Sequence, residues 1–385
     1  MTDPVGRGAA FMGRDGAAFP GRDGGAFMGR GSPAVWSAVG LLLIYAVLAA
    51  GPGAPAGGPP AKPPLAARAG DEAGEAGESD PGQRATPESA EDAPPHRGPL
   101  DPAVARRFVR EPEITVFDHA IGAPRTMALE AYVAHVVAGE VRPTWQPDAL
   151  RAQAVAARTY TVGLLMAGDR TTPRRLYGTD TSTDPAEVQA YSPMVPRAVE
   201  KAVAATRGEI LVYEGKPIVA LFHACAAGRT AFLRESFPRD PRRAPYLRPV
   251  PSPCERAAPE AIRRWAVALT AAELAAAAGL SPADVREVHI AARGPSGRAV
   301  AIQIGPRRVH AADLRRHVGP NRLRSTLLTA IQPLEGGVWI FRGRGWGHGV
   351  GLDQWGAEAM ARRGRSYRDI LAHYYPGTRL VRLYP

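Results

Sequence analysis

One stretch of this chain, residues 129–160, constrains its fold more than any other. Its first half spaces apolar side chains at i, i+3, i+4, i+7 and i+8, the pattern of a helix that buries one face: Leu129, Tyr132, Val133, Val136 and Val137. The next position on that face is Glu140, and a buried carboxylate without a partner is so costly that it usually takes up a proton instead. Two interpretations stay open: a solvated carboxylate at a fraying helix end, or an acid whose pKa is raised by burial.

A second helix follows in the same stretch. Arg142-Pro143 is predicted to end the first helix, because the residue before a proline is disfavoured in the α region. Pro147 suits the first turn of the next helix, and Asp148 there lies beside the positive end of the helix dipole. Several positions of this second helix carry small side chains, which allow another element to pack closely: Ala149, Ala152, Ala154, Ala156 and Ala157.

The first hundred residues differ in composition from the rest. Residues 1–33 are a low-complexity tail rich in Gly, and residues 51–100 are a Pro/Gly/Ala-rich linker, so both are predicted to be a disordered tether. Residues 34–50 form an uncharged apolar run, which predicts a signal peptide or a membrane anchor. Arg30 precedes this run and no Lys or Arg follows it until Lys62, which predicts an extracytoplasmic location for the remainder.

The remainder, residues 101–385, is strongly basic. It contains 40 basic and 26 acidic residues, whereas the whole chain has a formal net charge of +11. Such a charge suits a polyanionic partner, for which nucleic acid is the usual candidate. Export argues against nucleic acid and favours the anionic cell envelope, so no nucleic-acid partner is expected.

A glycine-rich segment, residues 343–351, has a glycine at every second position. This pattern argues against a packed strand and allows backbone to approach a ligand closely. A phosphate-binding loop is disfavoured because no Lys-Ser/Thr pair follows. A tight structural loop and a cleft-lining loop both stay open, and in the second case Trp346 and His348 would face a sugar.

Taken together, these segments resemble the stage II sporulation protein D (SpoIID/LytB) family of bacterial cell-wall proteins. The resemblance extends from about Glu111 to the C-terminus. It is carried by LEAYVAHVVAGEV, by ALRAQAVAARTY, by Gln189-Ala190-Tyr191 and by GRGWGHGVGLDQWGAEAMARRGRSYRDILAHYYPGT, in this order.

The resemblance implies a lytic transglycosylase that cleaves peptidoglycan glycan strands, preferably strands without stem peptides. Glu140 falls on the catalytic glutamate, acting first as acid and then as base to form a 1,6-anhydromuramoyl end, with no required cofactor. Asp353 is the rival carboxylate in the presumed cleft. The residues expected to bind substrate are Gln153, Arg158, Tyr160, Gln189, Tyr191, His223, Trp346, His348 and Gln354.

The two cysteines, Cys225 and Cys254, depart from the family pattern. Many relatives carry a cysteine where this chain has Val188, and Cys225 lies one place earlier than usual. Export favours a disulfide between the two. A zinc site formed by Cys225, Cys254 and His223 is one alternative, and two free thiols are another.

The sequence as a whole predicts an α+β protein with helices and short strands around a glycan-binding cleft, and a SpoIID-like domain at residues 101–385. Its partners would be peptidoglycan glycan strands, a cell-wall amidase, and the membrane through the N-terminal segment. The role would be cell-wall remodelling, with sporulation as one context. The alternative function is a non-catalytic glycan-binding module or an enhancer of a cell-wall amidase.

Overall fold

The computed structural model describes residues 98–385. The predictions for the tail, for the apolar run at residues 34–50 and for all but the end of the linker therefore lie outside the described residues. None of the helices within residues 98–385 combines the length and the hydrophobicity that a membrane span requires.

Helices and strands alternate irregularly along the described chain. The helices are α1 (Pro102–Arg107), α2 (Leu129–Glu140), α3 (Pro147–Ala167), α4 (Thr172–Tyr177), α5 (Arg197–Ala205), α6 (Leu233–Ser236), α7 (Glu260–Arg263), α8 (Ala271–Ala278), α9 (Ala311–Val318), α10 (Gln354–Ala361) and α11 (Tyr367–Tyr374). The strands are β1 (Glu113–Asp118), β2 (Ala123–Ala128), β3 (Thr181–Ser182), β4 (Glu209–Tyr213), β5 (Lys216–Pro217), β6 (Phe222–His223), β7 (Gly228–Arg229), β8 (Pro251–Ser252), β9 (Arg264–Thr270), β10 (Val288–Arg293), β11 (Ala299–Ile304), β12 (Arg307–His310), β13 (Leu328–Leu334), β14 (Val338–Arg344), β15 (Leu352–Asp353) and β16 (Arg379–Arg382). The predicted α+β class is confirmed.

The two helices predicted in the opening stretch are present. The apolar stripe of α2 is fully buried, as its spacing predicts. The helix ends at Glu140, two residues before Arg142, because Val141 already has an extended backbone. Helix α3 begins at Pro147 as predicted, and its small side chains are buried where α2, α5, α10 and α11 pack against it.

Arg158 holds α2 and α3 together. Its side chain is fully buried and donates to both carboxylate oxygens of Glu130, at 2.9 Å and 2.6 Å. It also donates to the carbonyl oxygens of Val203 and Glu209. Because these internal acceptors engage its guanidinium, Arg158 has a structural role here, and substrate binding by Arg158 stays a prediction.

The described chain has two apolar cores. The larger core gathers residues from both ends of the described chain, including α2, α3, β4 and α11. The second core lies between Trp265 and Phe341, where the sheets β9–β14–β13 and β10–β11–β12 enclose α8 and α9. The second core is therefore an insertion between two segments that complete the first.

The hairpin that follows residue 209 is short. The chain turns at Glu214 and Gly215, both with positive φ, and β5 pairs with β4 only over Lys216 and Pro217. Proline has no N–H to continue a ladder. The following residues instead cross to the glycine-rich segment, where Phe222–His223 pairs in parallel with Leu352–Asp353.

The glycine-rich segment differs from its prediction at its start. Strand β14 continues through Gly343 to Arg344, so the exclusion of a strand is wrong there. Positive φ angles at the four glycines from Gly345 to Gly351 then end the ladder. Helix α10 begins at Gln354 because Asp353 caps it, its carboxylate accepting from the Gly356 N–H at 2.9 Å.

Candidate functional site

Glu140 is the last residue of α2, and about 1% of its surface is exposed. One carboxyl oxygen, Oε1, accepts from the Ala190 N–H at 2.8 Å, and the other, Oε2, accepts from the Gln354 side-chain amide at 3.2 Å. The stripe of α2 therefore carries Glu140 into the interior. Of the two interpretations, the buried acid is confirmed and the solvated helix end is wrong.

Burial raises the pKa of Glu140 to about 7. The N–H of Ala190 and the amide of Gln354 act in the opposite direction, because both donate to the ionised form. The loss of hydration outweighs these two hydrogen bonds. The carboxyl group can therefore hold a proton and release it near neutral pH, which is what an acid–base catalyst requires.

Two glutamine side chains share this buried position with Glu140. The Gln354 amide that donates to Glu140 also lies 3.5 Å from Oε1 of Gln153, on α3. Both glutamines are about 1% exposed. The structure thus brings together three of the predicted site residues, from α2, α3 and α10.

Contacts between α10 and the start of α3 fix the position of Gln354. The rings of Trp145 and Trp355 lie 4.7 Å apart, and the buried Glu358 carboxylate accepts from the Gln146 N–H at 2.9 Å. Because α10 is anchored in this way, its first residue is held against Glu140.

Gly139 allows the Gln189-Ala190-Tyr191 segment to reach Glu140. A Cβ at residue 139 would lie 2.8–2.9 Å from backbone atoms of Ala190 and Tyr191, closer than real Cβ contacts. Gly139 is not among the site residues predicted from the sequence. A glycine directly before a helical glutamate is the signal that could have indicated a close backbone approach.

The side chains on either side of Ala190 have separate partners. Gln189 is buried and its amide donates to Thr161 Oγ1 at 3.0 Å. Tyr191 is half-buried, stacks on His135 with ring centroids 4.7 Å apart and accepts from Arg125. Tyr160 is buried on α3, with 5% of its surface exposed. In the Gln189-Ala190-Tyr191 segment, the backbone and not the flanking side chains therefore contacts Glu140.

Trp346 is buried and His348 is half-buried, and both have partners within the protein. The backbone of Trp346 pairs with Cys225 in both directions, and Arg324 lies 4.4 Å from its ring centroid. His348 Nε2 lies 2.9 Å from the Phe222 carbonyl oxygen, and Nδ1 accepts from the Val350 N–H at 3.1 Å.

These contacts use both ring nitrogens of a neutral His348, whose pKa burial lowers to about 3. They are the contacts of a tight structural loop, the first of the two alternatives left open for residues 343–351. A sugar-facing role of Trp346 and His348 would require these internal contacts to be replaced.

His223 and Asp353 are also buried next to this loop. His223 Nδ1 lies 3.2 Å from the Val350 carbonyl oxygen, and the two rings of His223 and His348 are 5.4 Å apart. Asp353 accepts from the Ala226 N–H and from Ser252 Oγ, both at 2.7 Å, besides capping α10. Burial raises the pKa of Asp353 to about 6. Asp353 thus joins three backbone segments, which is a structural role.

Cys225 and Cys254 form a disulfide, with Cα atoms 5.7 Å apart. Among residues 98–385, the third group whose ligand atom lies near both sulfur atoms is Asp353 and not His223. The zinc ligand set predicted from the sequence is therefore not assembled. The imidazole of His223 is instead directed at the Val350 carbonyl oxygen.

A groove of about 360 Å³ lies between α2 and α5. Glu130, His135, Glu200 and Arg207 line it together with small apolar residues. Glu140 is not part of its lining.

Comparisons with known proteins agree on one family. A family model described as Stage II sporulation protein matches residues 118–213, and a Domain of unknown function (DUF8618) matches residues 257–351. The chain is 31% identical to Stage II sporulation protein D of Bacillus amyloliquefaciens over 72% of this chain and 80% of that protein. It is 29% identical to the Bacillus subtilis protein of the same name over 69% of this chain and 78% of that protein. It is 26% identical to the Amidase enhancer of Bacillus subtilis over 64% of this chain, but only 40% of that protein.

Gly139→Ala tests the close approach of the Ala190 segment to α2. The new methyl group overlaps backbone atoms that cannot move like a flexible side chain, so we expect a loss of about 1–3 kcal/mol in the free energy of unfolding. Gly163→Ala is the matched control, because a Cβ there meets only the Ile218 carbonyl oxygen at 3.9 Å. That change should be neutral or stabilise the helix by up to about 1 kcal/mol. Equal effects of the two changes in denaturant unfolding would contradict the close approach.

Reduction tests the pairing of Cys225 with Cys254. The disulfide closes a loop with a sequence separation of 29, so breaking it should lower the free energy of unfolding by about 3 kcal/mol. A metal chelator should have no effect on the untreated protein. Near-stoichiometric zinc, together with loss of stability in chelator and none in reductant, would show that zinc and not the disulfide joins the two cysteines.

Proposed function

The chain belongs to the stage II sporulation protein D family, and on that premise we propose that it is an exported lytic transglycosylase that cleaves glycan strands of peptidoglycan. Glycan without stem peptides is its proposed substrate, and a 1,6-anhydromuramoyl end is its proposed product. The relatives' names support a role in cell-wall remodelling and sporulation.

The observation that carries this proposal is the state of Glu140. A catalytic acid for glycosidic oxygen must hold a proton at the working pH, and a base for the following step must give it up readily. Burial favours the protonated form of Glu140, and the hydrogen bonds from Ala190 and Gln354 make its proton easier to release. The pKa of about 7 lies where both forms are populated.

The proposed reaction moves one proton in each of two steps. Protonated Glu140 gives its proton to the oxygen that bridges N-acetylmuramic acid and N-acetylglucosamine, and the bond from that oxygen to C1 breaks. The resulting Glu140 carboxylate takes the proton of the muramic C6 hydroxyl as its oxygen bonds to C1. Glu140 is then protonated again. No water is consumed and no second carboxylate is required, unlike in hydrolytic pairs.

Ala190 and Gln354 have a defined role in this cycle. Their N–H groups point at the oxygens of Glu140, so they stabilise the carboxylate between its two proton transfers. The same groups cover the carboxyl group in the closed structure. A glycan can reach Glu140 only if the segments that contact it move apart, and binding would have to drive that movement.

Other parts of the proposal rest on the sequence. The reaction as written needs no cofactor. The apolar run at residues 34–50 supports export through a signal peptide or a membrane anchor, with the domain at residues 101–385 on the extracytoplasmic side. Its excess of basic residues suits the anionic cell envelope.

A second candidate function is that of a glycan-binding enhancer of a cell-wall amidase without turnover. Two observations favour it: one relative is named Amidase enhancer, and Glu140 is almost completely covered. Product analysis separates the two functions. Anhydromuramoyl ends indicate an enzyme, whereas retention on glycan without product indicates a binding protein.

Glu140→Gln is the decisive variant for the proposed enzyme. The amide keeps the size of the side chain but cannot transfer a proton to the glycosidic oxygen. General acid–base catalysis is worth about 10²–10⁴-fold, and one residue serves both steps here, so anhydro product should fall below detection. Folding and binding to glycan without stem peptides should be retained. The measurement is product analysis by mass spectrometry after digestion.

Asp353→Asn is the matched control, because Asp353 is a second buried carboxyl group with a raised pKa. We expect the folded variant to keep detectable cleavage at a reduced rate, with lower stability, because Asp353 caps the helix that carries Gln354. Loss of cleavage in Asp353→Asn with near wild-type cleavage in Glu140→Gln would assign the chemistry to Asp353 instead.

A further inference from the structure

Arg298 is the most unusual charged residue outside the Glu140 site. It directly precedes β11 in the second core and is fully buried. Its Nη2 donates to the Ala226 carbonyl oxygen at 3.0 Å, whereas Nε and Nη1 have no hydrogen-bond partner among residues 98–385. A buried arginine with so few partners is costly, so its retention calls for a reason.

Charged and titratable groups face Arg298 from several elements. The carboxylates of Glu235 and Asp353 attract it, while the half-buried Arg315 is a second cation nearby. Burial lowers the pKa of His223 and of His348, and the charge of Arg298 adds to that effect. Arg298 is therefore the cation that compensates Asp353 and Glu235 in a region where the two histidines are neutral.

The glycine-rich segment lies directly on this guanidinium group. A Cβ at Gly349 would lie 2.4 Å from Cζ of Arg298, and φ at this position is +84°, so another residue would displace the guanidinium group and strain the backbone. Arg298 is thus enclosed between the second core, the segment that contains Ala226 and the residues that lead into α10.

A continuous series of contacts runs from Arg298 to Glu140. Arg298 donates to the carbonyl oxygen of Ala226, whose N–H donates to Asp353 at 2.7 Å. Asp353 caps α10, and the next residue, Gln354, donates to Glu140. We propose that Arg298 is a positioning residue: from the second core, it fixes Ala226 and Asp353 so that Gln354 keeps its hydrogen bond to Glu140.

Arg298 lies within residues 257–351, which match a domain of unknown function. This region would thus support the Glu140 site, although Glu140 lies outside it. The positioning role of Arg298 affects turnover only if the proposed function is correct, and in that respect it rests on the proposed function. The positioning of Gln354 can be tested whether or not the protein cleaves glycan.

The test measures the pKa of Glu140 in the purified full-length chain by ¹³C NMR titration of its side-chain carboxyl group. The resonance is assigned by its absence in Glu140→Gln. Arg298→Met removes the charge but keeps an unbranched side chain. If Gln354 then loses its hydrogen bond, the carboxylate is stabilised less and the pKa of Glu140 should rise by about one pH unit, the size of one hydrogen bond to a charged group.

Two further variants make the test specific. Gln354→Ala removes the same hydrogen bond directly and should raise the pKa of Glu140 equally. The double variant Arg298→Met/Gln354→Ala should raise it no further, because both changes act through one contact. Arg322→Met is the matched control: Arg322 lies in the same region, pairs with Glu273 and donates to the Ala268 carbonyl oxygen. It should leave the pKa of Glu140 unchanged.

A folded Arg298→Met protein with an unchanged Glu140 pKa would overturn the proposal, as would shifts that add in the double variant. If Arg298→Met does not fold, Arg298→Lys decides: it keeps the charge but loses the planar donor group, and the proposal again expects a higher Glu140 pKa. A merely structural role would lower stability without moving this pKa in the folded protein. Absence of cleavage by the wild-type chain would count against the proposed function and leave the titration result standing.

Discussion

The candidate site depends on burying one carboxyl group at the end of a helix. Glu140 lies where the apolar stripe of α2 reaches the interior, and within residues 98–385 its carboxyl group accepts two hydrogen bonds, from Ala190 and Gln354. Burial costs the ionised form more than these donors return, which is why its pKa lies near 7. Removing either donor or admitting water would change the pKa of Glu140. The packing around Glu140 therefore sets its pKa.

That packing is built from segments far apart in the sequence. Gly139 admits the Ala190 backbone, and the small side chains of α3 let α10 come close enough for Gln354 to reach Glu140. Asp353 and the Cys225–Cys254 disulfide stabilise the segments that lead to α10. Arg298 extends this support to the second core. The site is therefore a product of both cores, although α2 and α3 alone supply the acid and one of its glutamine neighbours.

The sequence predicts those parts of this site that depend on residues close together in the chain, and not those that depend on contacts between distant residues. The burial of Glu140 follows from helical periodicity within twelve residues of α2, which is local information. Arg158 looked equally suited to bind substrate, but its partner Glu130 is 28 positions away and the sequence does not indicate that pairing. His348 is held by Phe222, 126 positions away. For such residues only the fold decides whether a polar side chain faces a ligand or another part of the chain.

The most direct test of the central claim is the pH dependence of stability in the wild type and in Glu140→Gln. Because the pKa of Glu140 is raised from 4.5 to about 7 on folding, its protonated form stabilises the fold at low pH, and this contribution is lost as the pH rises through 7. Denaturant unfolding at about pH 5 and about pH 8 should show the wild type losing roughly 3 kcal/mol relative to the variant. Parallel stability profiles would contradict a buried, neutral Glu140.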